Sequence, residues 1–162
     1  MGAYRRDKAV DLAGLEGVGA RARASGLRTA LCHGCFDLLH VGHVHHFHRA
    51  AALADVLVVS VSADAACVKG PGRPLYGIAD RTGLIAALEV VDHVHAAEDS
   101  SPMRVIEALR PDVYVKGPDY ARNPCVRLRA ETALVERLGG RTAFTDEDVT
   151  ASSTALLRRL HA

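Results

Sequence analysis

The sequence predicts an α/β fold built on a doubly wound, five-stranded parallel sheet with helices on both faces. Three observations carry that expectation. Short Val-rich apolar runs alternate with segments of helical periodicity, the pattern of successive βαβ units. One of those runs, "DVLVVSVS" (55–62), is apolar almost throughout, as a strand covered on both faces must be. The chain has 162 residues, 49% of them hydrophobic, which suits one domain rather than two.

The elements follow in order. Residues 1–25 read as a short lead-in and a helix. "LRTALC" (27–32) is the first strand, 55–62 the second, "DHVHAA" (92–97) the third, "DVYVKG" (112–117) the fourth and "RTAFT" (141–145) the last. Helices are expected near 42–54, 79–90, 102–110 and 124–138. A terminal helix starts near 153, where "ASSTALLRRL" offers hydroxyl caps, an apolar stripe and two arginines in its final turn. "CVKGPGRPLYGI" (67–78) is too rich in Gly and Pro to be anything but a loop.

Twenty basic residues against nineteen acidic ones leave a net charge of +1. That balance argues against a nucleic-acid footprint, and no basic cluster suggests a membrane surface. No apolar stretch reaches the length of a signal peptide core or a membrane span, so a cytoplasmic protein acting on a small partner is expected. Four cysteines in such a chain (Cys32, Cys35, Cys67, Cys125) read as free thiols.

The most informative stretch is "HGCFDLLHVGHVHHFH" (33–48), which holds six of the nine histidines. It lies between the first strand and the helix that follows, where open α/β sheets bind their ligands. A helix N-terminus there offers unpaired amides and partial positive charge to an anion, and Gly42 keeps a side chain out of the way. Helical periodicity puts Val44, Phe47, Ala51 and Ala54 on the core side. His45 and His48 then face water, His46 is assigned to the surface, and His40 and His43 aim at whatever the helix end binds. A structural zinc site is a competing reading, but no second CxxC completes a tetrahedral set with Cys32 and Cys35. Redox chemistry and nucleophilic catalysis find less support, for want of a helix after the second Cys and of a Gly-x-Ser-x-Gly elbow.

"HVGH" (40–43), placed between a strand and a helix and preceded by "GCFDLLH", resembles the HxGH signature of the cytidylyltransferase-like nucleotidyltransferases. The resemblance is strongest to the adenylyltransferase domain of ADP-heptose synthases and next to the glycerol-3-phosphate cytidylyltransferases. It continues through "SVSAD" (60–64), "KGPGRPL" (69–75), "DRTGLIAALEVVDHV" (80–94), "RPDVYVKGPDY" (110–120) and "VTASST" (149–154). The fold so implied is Rossmann-like, with residues 1–25 as a helical lead-in and 26–162 as the nucleotidyltransferase domain.

The resemblance also implies a reaction and a site. Such enzymes join a nucleoside triphosphate to a phosphorylated acceptor and release pyrophosphate, with Mg²⁺ as cofactor. His40, His43 and Lys69 are then the catalytic residues. His33, Gly34, Phe36, Asp37, Gly42, Lys116, Asp119, Tyr120, Ser152, Ser153 and Thr154 bind the nucleotide, with Asp37 as the candidate Mg²⁺ ligand. Arg73 and Arg81 meet the acceptor. ATP and a sugar phosphate such as heptose 1-phosphate are the favoured substrates; CTP with a polyol phosphate or a phosphonate is the alternative. The family also implies a homodimer, with apolar positions in 79–94 as the candidate interface. Two departures stand out: His33 replaces the Asn or Tyr common in relatives, and Pro118 replaces a frequent Gly. A nucleotide-binding module without turnover is the competing class, opposed by the presence of both histidines, the loop lysine and the terminal hydroxyls.

Overall fold

A computed structural model describes residues 6–67, 70, 72–98, 101–122, 125–146 and 149. Five parallel strands lie in the order β3-β2-β1-β4-β5, with β1 Thr29–Gly34, β2 Val56–Val61, β3 His93–Ala96, β4 Val113–Lys116 and β5 Arg141–Phe144. All five fall where the apolar runs put them. The order reverses between β1 and β4, so the switch point of the sheet lies at their carboxyl ends.

The amino ends are locked by a repeated device. Asp55, Asp92 and Asp112 each stand just before a strand and accept a backbone N–H from the start of a neighbouring one, from Arg28, Leu57 and Thr29 respectively, at 2.7–2.8 Å. Each carboxylate satisfies an amide that the ladder leaves over, which fixes the register Thr29↔Val56 and Ala30↔Val113.

Helices α1 (Leu12–Ala24), α2 (Val41–Ala51), α3 (Ile78–Ala86), α4 (Met103–Leu109), α5 (Pro118–Arg122) and α6 (Val126–Arg137) complete the described elements, with short 3₁₀ turns at Arg6–Lys8 and Asp64–Ala66. Alternation along the strands splits the interior into two cores. Ala30, Cys32, Leu57, Val59 and Val61 pack under Phe47 and Ala50 of α2 and Ile85 and Ala86 of α3. Leu31, Val58 and Tyr114 pack on the other face with Leu15 and Val18 of α1, Ile106 and Leu109 of α4, and Leu128, Leu134 and Val135 of α6. The five-residue helix α5 was not foreseen; it is too short for periodicity to reveal. The terminal helix expected from 153 lies outside the described residues. No described helix is long and apolar enough to cross a membrane.

Three expectations need correction. Cys35 and Cys67, expected as free thiols, form a disulfide with their Cα atoms 5.6 Å apart, while Cys32 and Cys125 are free. They follow β1 and β2, which are paired neighbours, so the sheet brings together residues 32 positions apart in sequence. His45 and His46, assigned to water, instead tie α2 to the end of β5: His45 Nε2 meets Asp146 Oδ1 at 2.7 Å and His46 Nδ1 meets the Thr145 hydroxyl at 3.0 Å. Helical periodicity shows which face is apolar and cannot show a distant strand end returning to cover a polar one. Finally, Ile85, Ala86, Val91 and Val94 of the 79–94 segment are spent in the core, which narrows the apolar positions that a second copy could reach there to the partly buried Leu84, Leu88 and Val90.

Candidate active site

The site is built from the turn after β1 and the start of α2. Gly34 ends the strand, and the Phe36 ring lies so close that a Cβ on Gly34 would come within 3.0 Å of it. Phe36 itself has a positive φ of 49°, a conformation that costs a bulky residue strain and holds only where packing over-determines it. That packing is visible: its ring stands edge-on to Phe47 at 5.1 Å and to His43 at 5.2 Å between centroids. The turn therefore fixes the imidazole of His43.

His40 is the N-cap of α2, and its Nδ1 accepts the His43 backbone N–H at 3.3 Å. A ring nitrogen that accepts carries no proton, so in the neutral ring Nε2 is the donor. The His40 and His43 rings stack at 3.7 Å. The structure thus brings two imidazoles together at the head of an 11-residue helix, with Gly42 as its second residue. Ring N–H donors, helix amides and the helix dipole converge there, which is an arrangement for binding oxyanions.

His33, at the carboxyl end of β1, is held across the sheet. Its Nδ1 and Nε2 lie 3.1 Å from the hydroxyls of Ser60 and Ser62. Burial, with the charges of Lys116 and Arg127 adding to it, pushes its pKa down to about 3. Burial and the same Lys116 charge lower His46 to about 4. Both rings are neutral at pH 7.

Asp37 is buried and fully engaged. One carboxylate oxygen pairs with Arg73 Nε, while the other accepts the backbone N–H groups of Leu75 and Tyr76 at 2.7 and 3.2 Å. A carboxylate whose two oxygens already hold a guanidinium and two amides is a poor Mg²⁺ ligand. Its role is to pin the loop 73–76 against the turn. Arg73 is almost wholly buried by this contact, and its Nη2 has no hydrogen-bond partner among the described residues. A buried guanidinium nitrogen left over beside a phosphate-type site is a donor in want of an anion.

Arg81 does not stand at the surface of the site. It is completely buried, and its guanidinium donates to the carbonyls of Cys35, Ser62 and Tyr76 and to Asp64. One side chain thereby ties together the turn after β1, the end of β2 and the loop before α3. An acceptor molecule has no path to it in this arrangement.

At the carboxyl end of β4, Lys116 is 5% exposed and turns toward α6, where its Nζ donates to the Tyr114 hydroxyl at 3.0 Å and lies 3.4 Å from Glu131 Oε2. The Tyr120 ring lies under the same ammonium, 4.5 Å from its centroid, a cation–π contact. Asp119 and Tyr120 are exposed in the first turn of α5. Tyr114 and Glu131 were absent from the sequence-based site. The available signal was a Glu inside the buried stripe Leu128, Glu131, Leu134 and Val135 of α6, because a carboxylate is seldom buried unless it is paired. Lys69, Ser152, Ser153 and Thr154 lie outside the described residues.

Comparison with known proteins places this geometry. Residues 31–159 match the family described as cytidylyltransferase-like. The chain is 39% identical over 140 residues to the bifunctional protein HldE of Syntrophotalea carbinolica, covering 85% of this chain and 28% of that protein. It is 41% identical over 137 residues to HldE of Geobacter sulfurreducens (82% and 27%) and 36% over 159 residues to HldE of Mesorhizobium japonicum (97% and 31%). The chain thus spans less than a third of the length of these relatives. Among solved structures, the lipopolysaccharide core biosynthesis protein of Thermoplasma volcanium superposes with a TM-score of 0.60 at 25% identity, over 74% of this chain and 94% of that one.

Proposed function

The chain belongs to the cytidylyltransferase-like family of nucleotidyltransferases, and from that premise we propose that it transfers AMP from ATP to a sugar phosphate such as heptose 1-phosphate, releasing pyrophosphate. The observation that carries the reading is the stacked His40–His43 pair at the N-terminus of α2, beside the switch point of the sheet. The choice of ATP and a heptose-like acceptor is supported by the resemblance of the motifs to the adenylyltransferase domain of ADP-heptose synthases and by the identity to bifunctional HldE proteins.

The acceptor phosphate is ionised at neutral pH, so its oxygen attacks the α-phosphorus in line without a general base. One P–O bond forms, the bond to the bridging oxygen breaks, and that oxygen leaves with the pyrophosphate. What the protein must supply is alignment and stabilisation of the charge that develops on the triphosphate oxygens. His40 Nε2–H, the His43 ring and the first amides of α2 are proposed to serve that task, and the Arg73 Nη2 donor is proposed to meet a second phosphate oxygen. Lys69, Ser152, Ser153 and Thr154 are proposed to grip the β- and γ-phosphates. Lys116, Asp119 and Tyr120 are proposed to contact the nucleotide where β4 ends, and His33, Gly34 and Phe36 to shape its floor. Mg²⁺ is proposed to arrive with the triphosphate as part of the substrate. Arg81 is proposed to act by holding the turn rather than by touching the acceptor.

The test is pyrophosphate release, crossing ATP, CTP, GTP and UTP with Mg²⁺ against sugar 1-phosphates, polyol phosphates and simple phosphonates, beside a His43→Ala control. Turnover with ATP and a sugar 1-phosphate, reduced on the order of 10²- to 10³-fold in the control, supports the reading. Nucleotide binding with silence across the panel overturns it. A homodimer is the proposed working form, and light scattering at assay concentration tests the assembly.

A further inference from the structure

The buried charges at the end of β4 have a job beyond packing. Glu131 is 3% exposed and Lys116 5% exposed. Between them stands Tyr114, fully buried, which accepts from Lys116 Nζ at 3.0 Å and donates its own O–H to Glu131 Oε2 at 2.8 Å. The half-exposed Arg127 closes the group from outside, its Nε 3.2 Å from Glu131 Oε1. A network of this kind is a poor source of stability, because the cost of removing its charges from water rivals their attraction and apolar replacements often do as well. What it does well is fix one orientation. Tyr114 and Lys116 are two apart on one strand and so share a face, and the ammonium donates to the Tyr114 hydroxyl while Glu131 Oε2 stands 3.4 Å away as its counter-charge. The Tyr120 ring sits against the same group, so the ammonium is confined by Tyr114, Glu131 and Tyr120 together.

We propose that Glu131, with Tyr114 as the bridge, is a positioning residue that holds the Lys116 ammonium at the carboxyl edge of the sheet for contact with the bound nucleotide. The inference rests on the nucleotidyltransferase reading for what Lys116 contacts, and on the structure alone for what holds it. Burial lowers the Lys116 pKa, and Glu131 opposes that lowering. The groups facing the ammonium are Glu131, Tyr114 and Tyr120, with Arg127 the other charge close by; Cys32, His33 and His46 also lie near it and are uncharged at pH 7. Removing the Glu131 charge therefore lowers the Lys116 pKa further.

The experiment compares the full chain with E131Q, Y114F, K116M and the K116M/E131Q double variant. Three quantities are read: MgATP affinity by calorimetry, kcat and KM for the pair that turns over, and the titration of the three lysines labelled with ¹³C at Cε, Lys116 being identified by its loss in K116M. The expected result is a loss in nucleotide affinity or kcat/KM on the order of tenfold for E131Q, no further loss when E131Q is added to K116M, and a lower Lys116 pKa in E131Q. Y114F keeps both charges and gives the same pattern more weakly, so it serves if E131Q fails to fold. A lysine titration and nucleotide parameters unchanged in E131Q, or an equal loss in the K116M background, overturn the proposal and leave Glu131 a structural residue. If no substrate pair turns over, the transferase reading falls, while the lysine titration and MgATP calorimetry still decide this one.

Discussion

Replacing Arg81 by Met separates a structural arginine from an acceptor-binding one. The guanidinium has no exposed surface and satisfies three backbone carbonyls and Asp64. Met fills much of the volume and donates nothing, so the carbonyls of Cys35, Ser62 and Tyr76 lose their donor. Each buried acceptor left unsatisfied costs about 1–3 kcal/mol, and water reaching the loop side recovers part of that. The Asp64 side chain is 49% exposed, so its ion pair adds little. The sum is about 4 kcal/mol, a large share of the roughly 5–15 kcal/mol that holds a domain folded. Urea denaturation followed by far-UV circular dichroism measures it, with the slope m as a check that the unfolded state is unchanged. R81K is expected to recover only a small part, since an ammonium cannot reach all four acceptors. An R81M protein within about 1 kcal/mol of wild type, with only its acceptor KM raised, would refute the argument and return Arg81 to the surface of the site.

Acid should destabilise the fold through His33 and His46, whose native pKa values of about 3 and about 4 lie below the ordinary 6.5. The unfolded chain takes up these protons near pH 6.5 and the native state does not. The stabilisation is therefore complete above that pH and is lost as pH falls toward 4, by on the order of a few kcal/mol. Urea titrations at pH 7.5 and 4.5 should show a smaller acid loss in H33N than in wild type, and equal losses would contradict the prediction. Reduction of the Cys35–Cys67 disulfide opens a 32-residue separation and should cost about 4 kcal/mol by chain entropy; thermal melts with and without reductant, beside a C35A/C67A control blind to it, check this. Asp37→Asn should release Arg73 and the 73–76 loop together and raise the nucleotide KM, whereas a variant whose only defect is a changed Mg²⁺ dependence would return Asp37 to the role of metal ligand.

The strands were legible because a parallel sheet covered on both faces leaves continuous apolar runs, and "DVLVVSVS" is one. The Asp that opens three of the strand segments was visible as well, although its partner amide was not. That His40 and His43 stand at the start of α2 was legible because position relative to a helix start is a local property. The pairings His45–Asp146, Cys35–Cys67 and Arg81 with Cys35, Ser62 and Asp64 all join segments that only the sheet order brings together. Arg81 shows the hazard most clearly, since an arginine at a helix start beside a loop has the same sequence signature whether it faces a ligand or three carbonyls. Glu131 was readable in principle as a charge inside an apolar stripe, but its partner lay fifteen residues away on another element.

The central claim is that the two imidazoles at the head of α2 serve transfer of a nucleotide's α-phosphoryl group. It is tested most directly by incubating the chain and His43→Ala with ATP labelled at the α-phosphorus, Mg²⁺ and heptose 1-phosphate, and following the label. The account predicts that the label enters an ADP-sugar in step with unlabelled pyrophosphate, and that His43→Ala slows both on the order of 10²-fold or more. Label recovered in AMP or ADP with no sugar attached, or an ADP-sugar formed equally well by the variant, would contradict it.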